Sequence, residues 1–263
     1  MAARASVAVR LLQALQRQHG APSADPDCQR DLNMSATTFK LERFNDADTL
    51  VRHEPFPFVV ASGVLADDAK GALAKDFPTF REPGFLPYNK DECGPAVNAL
   101  IEEATSPAVA NMLGAKLGID NLVQYPTLVT ICTVLNRRAG TIHTDSKSKV
   151  ATALIYLNES WNGSSDGCLR LLAANDNIDS TITPEVQPTY GNFVIFKRTD
   201  NSFHGHLPYE GERRVIQIAW VINQEEIDRK TQRGRLSRFV KSIFGSVDKR
   251  IGANRGRNAS HLK

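Results

Sequence analysis

Long apolar runs are missing from this 263-residue chain: no stretch approaches 18 consecutive apolar residues, which excludes a transmembrane helix. Cysteine is scarce. Cys28, Cys93, Cys132 and Cys168 form no Cys-x-x-Cys pair, so neither a disulfide framework nor a zinc knuckle is available, and a reducing compartment is the default. No low-complexity tract or internal period is present, which excludes a solenoid. What remains, 41% hydrophobic and 23% charged residues, is the composition of a soluble globular protein. The length exceeds that of a usual single domain but suits one all-β sandwich or barrel.

The net charge of +3 conceals an asymmetry. Residues 229–263 hold 11 Lys/Arg against one acid, Asp248, a net of +10, while the other 228 residues hold 21 bases and 28 acids, a net of −7. The body and the tail are therefore read separately. At the other end, Arg4, Arg10 and Arg17 precede the first acid, Asp25, and Val7, Leu11 and Leu15 fall at helical spacing. That stretch reads as an N-terminal helix or as an organellar transit peptide.

Helical patches punctuated by Gly and Pro occupy 58–77 and 95–118, with helices expected at Asp67–Asp76 and Pro95–Leu117. From Thr127 the texture changes to short β-branched runs: Thr127–Leu135, Lys149–Leu157, Cys168–Leu172, Asn192–Phe196 and Val215–Ile222. Turn signals at Arg138–Gly140, Asn162–Asp166 and Tyr190–Asn192 separate them. This order predicts an all-β core with flanking helices, an α+β protein whose double-stranded jelly roll carries its N-terminal helices outside. The organisation expected is a single domain over 1–228, helical in 1–124 and jelly roll in 125–223, followed by a basic tail over 229–263.

One histidine stands out. His143, in Gly140-Thr-Ile-His143-Thr-Asp145, lies between two strand patterns. A His and an Asp two residues apart in extended chain project to the same side, and imidazole plus carboxylate there supply two neighbouring positions on a metal. A second His from an opposite strand would complete a 2-His-1-carboxylate triad suited to Fe(II). A His-x-Asp pair alone is more often polar surface. His204, 59 residues after Asp145, is the candidate third ligand, and Arg213 and Arg214 open the final strand nine and ten residues later. A buried Arg in a barrel needs an anionic partner, and its fork matches a carboxylate; in solvent the same pair would merely cap a strand.

These pieces lie in a recognisable order. Gly140-x-x-His143-x-Asp145 is followed by Thr152-Ala-Leu-Ile-Tyr156-Leu-Asn158-Glu-Ser-Trp161, then by Asp166-Gly167-Cys-Leu169-Arg170. Gly191-Asn-Phe-Val-Ile-Phe196, His204-x-x-x-Pro208 and Gly211-x-Arg213 complete the series. Val129–Val221 resembles the Fe(II)/2-oxoglutarate-dependent dioxygenases, in the prolyl-4-hydroxylase-like branch. The resemblance implies that His143, Asp145 and His204 bind iron, with Pro208 setting the register in favour of His204 over His206. It implies that Tyr156 and a basic anchor hold the distal carboxylate of 2-oxoglutarate. Gly211-x-Arg213 favours Arg213 as that anchor, and strand parity agrees: it turns Val215, Gln217 and Ala219 inward and Ile216, Ile218 and Trp220 outward against the helices. Arg214 is the alternative. Two departures stand out. Gly167-Cys168 replaces the Gly-Gly frequent in the family, and Asn136-Arg137-Arg138 stands where some members carry a tyrosine, which puts peptidyl-proline hydroxylation in doubt.

The implied reaction uses Fe(II), 2-oxoglutarate and O2, releases succinate and CO2, and hydroxylates a substrate that no segment of the sequence specifies. Asp145 favours hydroxylation over halogenation. The alternative is a catalytically silent jelly-roll module that binds a metal or ligand. In the tail, Leu236, Phe239, Val240, Ile243, Phe244, Val247 and Ile251 form one apolar stripe beside Arg235, Arg238, Lys241, Lys249 and Arg250. Two readings stay open: a helix docked on the acidic body, or an interfacial helix on an anionic membrane. A nucleic-acid role is disfavoured because the tail lacks an aromatic platform beyond Phe239 and Phe244. The expected location is cytoplasmic, peripheral on a membrane under the second reading.

Overall fold

The β-branched runs of the second half of the chain pair with one another and bury both of their faces. In the computed structural model, which describes residues 38–162 and 164–232, strand β5 spans Lys149–Tyr156 and every residue from Ala151 onward is buried. A strand covered on two sides reads as a continuous apolar run, which is why KVATALIY shows little polar alternation. It pairs with β7 (Phe193–Lys197) on one side and β9 (Gly211–Val221) on the other. β4 (Thr127–Leu135) lies beyond β9. Three shorter strands, β1 (Leu50–Arg52), β2 (Phe58–Ala61) and β3 (Phe85–Pro87), complete a seven-stranded antiparallel sheet in the order β1-β2-β7-β5-β9-β4-β3. A second layer contains β6 (Arg170–Leu171) paired with β8 (His204–Gly205), extended by single bridges at Leu169–Val186 and Leu172–Thr181.

Strand parity divides the core in two. On the outer face of the large sheet, Ala153, Ile155, Ile195, Ile216, Ile218 and Trp220 pack with helices α1 (Lys70–Asp76), α2 (Pro95–Ala104) and α3 (Pro107–Leu117). Between the sheets, Leu154, Tyr156, Val194, Phe196 and Val215 meet Leu169 and Leu171. The chain is the all-β core with flanking helices that the sequence predicts.

The structure corrects the expected elements where proline and short length intervene. The single helix expected over Pro95–Leu117 is two. Pro107 disfavours helical backbone at the residue before it, and Ser106 is extended (φ −64°, ψ 155°) and caps the second helix by accepting from the Val109 N–H. Residues 58–61, placed within a helical patch, are strand β2, whose four residues are too few to show a period. β3 contains Pro87 and sits at a sheet edge, the position where a strand tolerates a missing N–H. The strand expected over Cys168–Leu172 has a regular ladder only at Arg170–Leu171, with single bridges at Leu169 and Leu172, and β9 begins four residues before Val215. A helix occupies 224–232 and runs across position 228/229, where the charge of the sequence changes. The expected N-terminal helix and the amphipathic stripe of the tail lie outside the described residues. Among the described residues no helix is long and apolar enough to cross a membrane.

Phe193 ties the outer layer together. Its ring meets Phe44 edge-on at 5.0 Å and Phe39 at 5.9 Å, and all three are at most 1% exposed. Phe193→Ala should cost about 3–5 kcal/mol in urea unfolding, and Phe193→Leu clearly less. A Phe193→Ala loss below about 1 kcal/mol would show that the aromatic trio does not hold the segment around Phe39 to the sheet.

Candidate metal centre

The loop from β4 to β5 carries His143 and Asp145 on the same backbone run, and β8 delivers His204 from the opposite layer. Two reciprocal backbone hydrogen bonds join them: the His143 N–H donates to the His204 carbonyl at 3.1 Å and the His204 N–H returns to the His143 carbonyl at 3.0 Å. The imidazoles consequently face each other with ring centroids 4.3 Å apart, and Phe196 covers the other side of the His204 ring at 4.5 Å. One ligand atom from each of His143, Asp145 and His204 can be chosen so that all lie within 4.8 Å of one another.

Local hydrogen bonds leave those atoms available. His143 Nδ1 sits 2.8 Å from the Thr141 carbonyl and His204 Nδ1 3.0 Å from the Ser202 carbonyl. A carbonyl only accepts, so each Nδ1 carries the proton and each Nε2 keeps its lone pair. Burial pushes the His204 pKa down to about 4, so its ring is neutral at physiological pH. Burial is the largest influence on the Asp145 carboxyl and would raise it, but the Lys149 charge together with the hydrogen bonds from Lys149 and Thr152 holds the pKa below the usual value. Lys149 donates to Asp145 Oδ1 at 2.7 Å and Thr152 to Oδ2 at 2.6 Å. Arg198 secures the backbone by donating to the Asp145 carbonyl at 3.2 Å. Two imidazoles whose Nε2 atoms are free of protein partners among the described residues and an ionised carboxylate, converging from two layers, are a donor set that fits a divalent first-row metal.

The same cavity, about 280 Å³, extends from these three residues to Arg213. Arg213 is 2% exposed. Its Nε donates to the Gly167 carbonyl at 3.0 Å, Nη2 reaches the Tyr156 hydroxyl at 3.5 Å, and the guanidinium lies 5.3 Å from the centre of the Tyr156 ring. Burial pushes the Tyr156 phenol up to about 12, so it stays a hydrogen-bond donor. Among the described residues no carboxylate pairs with Arg213. Arg214 points the other way, bonded to Glu212 at 2.7 Å and the Ala74 carbonyl at 3.4 Å above the Phe77 ring.

The structure thus brings together all five residues singled out in the sequence: His143, Asp145, His204, Tyr156 and Arg213. His206 lines the cavity without joining the metal-ligating group; its Nδ1 is 2.8 Å from the Leu207 carbonyl and its backbone N–H bonds the Gly140 carbonyl. Cys132 and Cys168 are buried with thiols pushed up to about 11 chiefly by burial, so neither is a ready nucleophile. Lys149 and Thr152 escaped the sequence reading. The available signal was parity: Thr152 shares the inward side of β5 with Leu154 and Tyr156, and Lys149 follows Asp145 by four residues.

Residues 132–222 match the family model of the 2OG-Fe(II) oxygenase superfamily. No curated protein matches the chain. Among solved structures, a Pseudomonas putida prolyl-4-hydroxylase is similar at 19% identity and a TM-score of 0.45, over 63% of this chain and 92% of that one. A Trichoplax adhaerens prolyl hydroxylase in complex with a hypoxia inducible factor peptide fragment follows at 14% and 0.42, over 78% and 97%. A viral collagen prolyl hydroxylase from Paramecium Bursaria Chlorella virus-1 stands at 16% and 0.42, over 62% and 88%.

Burial lowers both His204 and His206 to about 4, against about 6.5 in an unfolded chain. Between those values the unfolded chain binds protons that the native one refuses, so native stability falls as pH falls from about 6.5 to 4. In chelator, the urea midpoint should drop steadily from pH 7 to pH 5, with a shallower drop in His206→Gln. A midpoint that is flat or rises over that range would contradict the buried neutral state of these rings.

Proposed function

We propose that the chain is a 2-oxoglutarate- and Fe(II)-dependent oxygenase that hydroxylates its substrate with release of succinate and CO2, a reading supported by the match of residues 132–222 to the family model. His143, Asp145 and His204 would hold Fe(II), and Arg213 with Tyr156 would hold 2-oxoglutarate. The observation that carries this reading is the coexistence, in one cavity of about 280 Å³, of a three-residue metal-ligating group and a buried arginine without a carboxylate partner among the described residues. Bound Fe(II) supplies the redox chemistry that couples decarboxylation of 2-oxoglutarate to oxidation of a C–H bond.

The chain's own residues divide the remaining tasks. The Arg213 fork has the geometry to take a carboxylate through parallel hydrogen bonds. Gly167 fixes the fork by accepting from Nε, and the Tyr156 hydroxyl adds a donor at the same end. Thr152 and Lys149 hold Asp145 ionised and oriented, while the Thr141 and Ser202 carbonyls keep each imidazole in its ligating tautomer. Leu135, Leu154 and Leu169 supply apolar walls of the cavity, which keep water from the reacting region and strengthen the electrostatic contacts inside.

Losing a charged, buried hydrogen-bond partner costs roughly 1.5–3 kcal/mol, and 1.4 kcal/mol is about one decade in affinity. Arg213→Ala should therefore raise the KM for 2-oxoglutarate at least about tenfold in an Fe(II)-dependent succinate assay, with Arg214→Ala within about twofold of wild type. A defect in Arg214→Ala with Arg213→Ala unaffected would refute the proposed anchor. Asp145→Ala should abolish succinate formation altogether, and mass spectrometry on substrate pools should find a product one oxygen heavier. Full succinate formation by Asp145→Ala would remove the metal assignment.

A further inference from the structure

Three ionised side chains line the cavity: Asp145, Lys149 and Arg213. Lys149 is unusual for its place. Its side chain is 12% exposed and its ammonium lies 2.7 Å from the Asp145 carboxylate, itself 9% exposed. Under the oxygenase reading, on which this inference rests, a divalent metal and the 2-oxoglutarate dianion cancel each other. Asp145 is shared with the metal and Arg213 is engaged by the distal carboxylate. The loaded cavity then keeps one positive charge, at Lys149. Asp145 is then the one carboxylate that serves both Lys149 and the metal, a buried excess of positive charge is disfavoured, and no other acid lines the cavity to offset it.

Basic residues also adjoin the segments that line the cavity. Ala139 and Gly140 line it, and directly before them Arg137 and Arg138 stand exposed on a turn closed by Ala139 N–H to the Asn136 carbonyl. Lys147 is exposed on the loop that carries Asp145. Positive groups around a low-dielectric cleft concentrate anions at its mouth. We propose that the substrate is an anion whose carboxylate pairs with Lys149 beside the metal, with Arg137 and Arg138 attracting it from solution. Lys149 is thus a specificity-determining residue of the site, beyond its support of Asp145.

The test needs no knowledge of the substrate. The full chain, loaded with Mn(II) and 2-oxoglutarate, is titrated with ¹³C-labelled acetate and, separately, with acetamide, a neutral probe of nearly the same shape. Broadening of each carbon resonance by the Mn(II) reports binding next to the metal. Acetate should bind at least about tenfold more tightly than acetamide, Lys149→Met should lose that preference, and Lys149→Arg should keep it. Equal affinity for the two probes, or an undiminished acetate preference in Lys149→Met, would overturn the proposal. Broadening of labelled 2-oxoglutarate in the same samples, lost in Arg213→Met, monitors the oxygenase reading separately. If wild type shows no such broadening, that reading falls and the inference falls with it.

Discussion

Two backbone hydrogen bonds between His143 and His204 are the interaction on which the rest of the site depends. They are the join between the loop leaving the large sheet and the small sheet beneath it. Because both groups are main-chain, the join fixes the two backbone positions from which the imidazoles project. Everything else near the metal-ligating group is arranged around it. The Thr141 and Ser202 carbonyls select the tautomers, Phe196 backs one ring, and Asp145 is drawn in by Lys149 and Thr152. The result is a donor set organised before any ligand arrives, which lowers the cost of assembling it.

The far end of the cavity depends on register. β5 and β9 pair so that Tyr156 lies opposite Val215 and Leu154 opposite Gln217. One residue of slip would turn Arg213 into the helical layer and bring Arg214 inward, since parity moves a whole strand at once. The alternation of Ile216, Ile218 and Trp220 toward α1–α3 resists that slip, because it would place the largest apolar groups of the strand in the inter-sheet cavity. The packing of the outer layer and the chemistry of the inner one are therefore set by the same register.

Much of this was legible in the chain itself. The short strand patterns and the jelly-roll class follow from runs of β-branched residues, and the His-x-Asp spacing marks His143 and Asp145. The roles of His204, Tyr156 and Arg213 came from the family resemblance, with the parity of RRVIQIAWV agreeing for Arg213. The failures have physical reasons. β1, β2 and β3 are three or four residues long and gain their structure from neighbours that are distant in sequence, so no local period announces them. The break between α2 and α3 was signalled by Ser106-Pro107, but the apolar period continues across it and masks the stop. Lys149 was hidden because the start of a strand is an ordinary place for an exposed lysine. Its burial is a property of the loop that folds back over it.

Metal binding by the His143, Asp145 and His204 cluster, completed as a 2-oxoglutarate site at the Arg213 end, is tested most directly by anaerobic absorption spectroscopy of the full chain with Fe(II). A keto acid chelated to Fe(II) gives a visible charge-transfer band. Adding 2-oxoglutarate should produce this band in the wild-type chain, His204→Ala should abolish it, and succinate, which lacks the keto group, should not produce it. A wild-type chain that remains colourless with saturating Fe(II) and 2-oxoglutarate, or a band of full intensity in His204→Ala, would contradict this assignment.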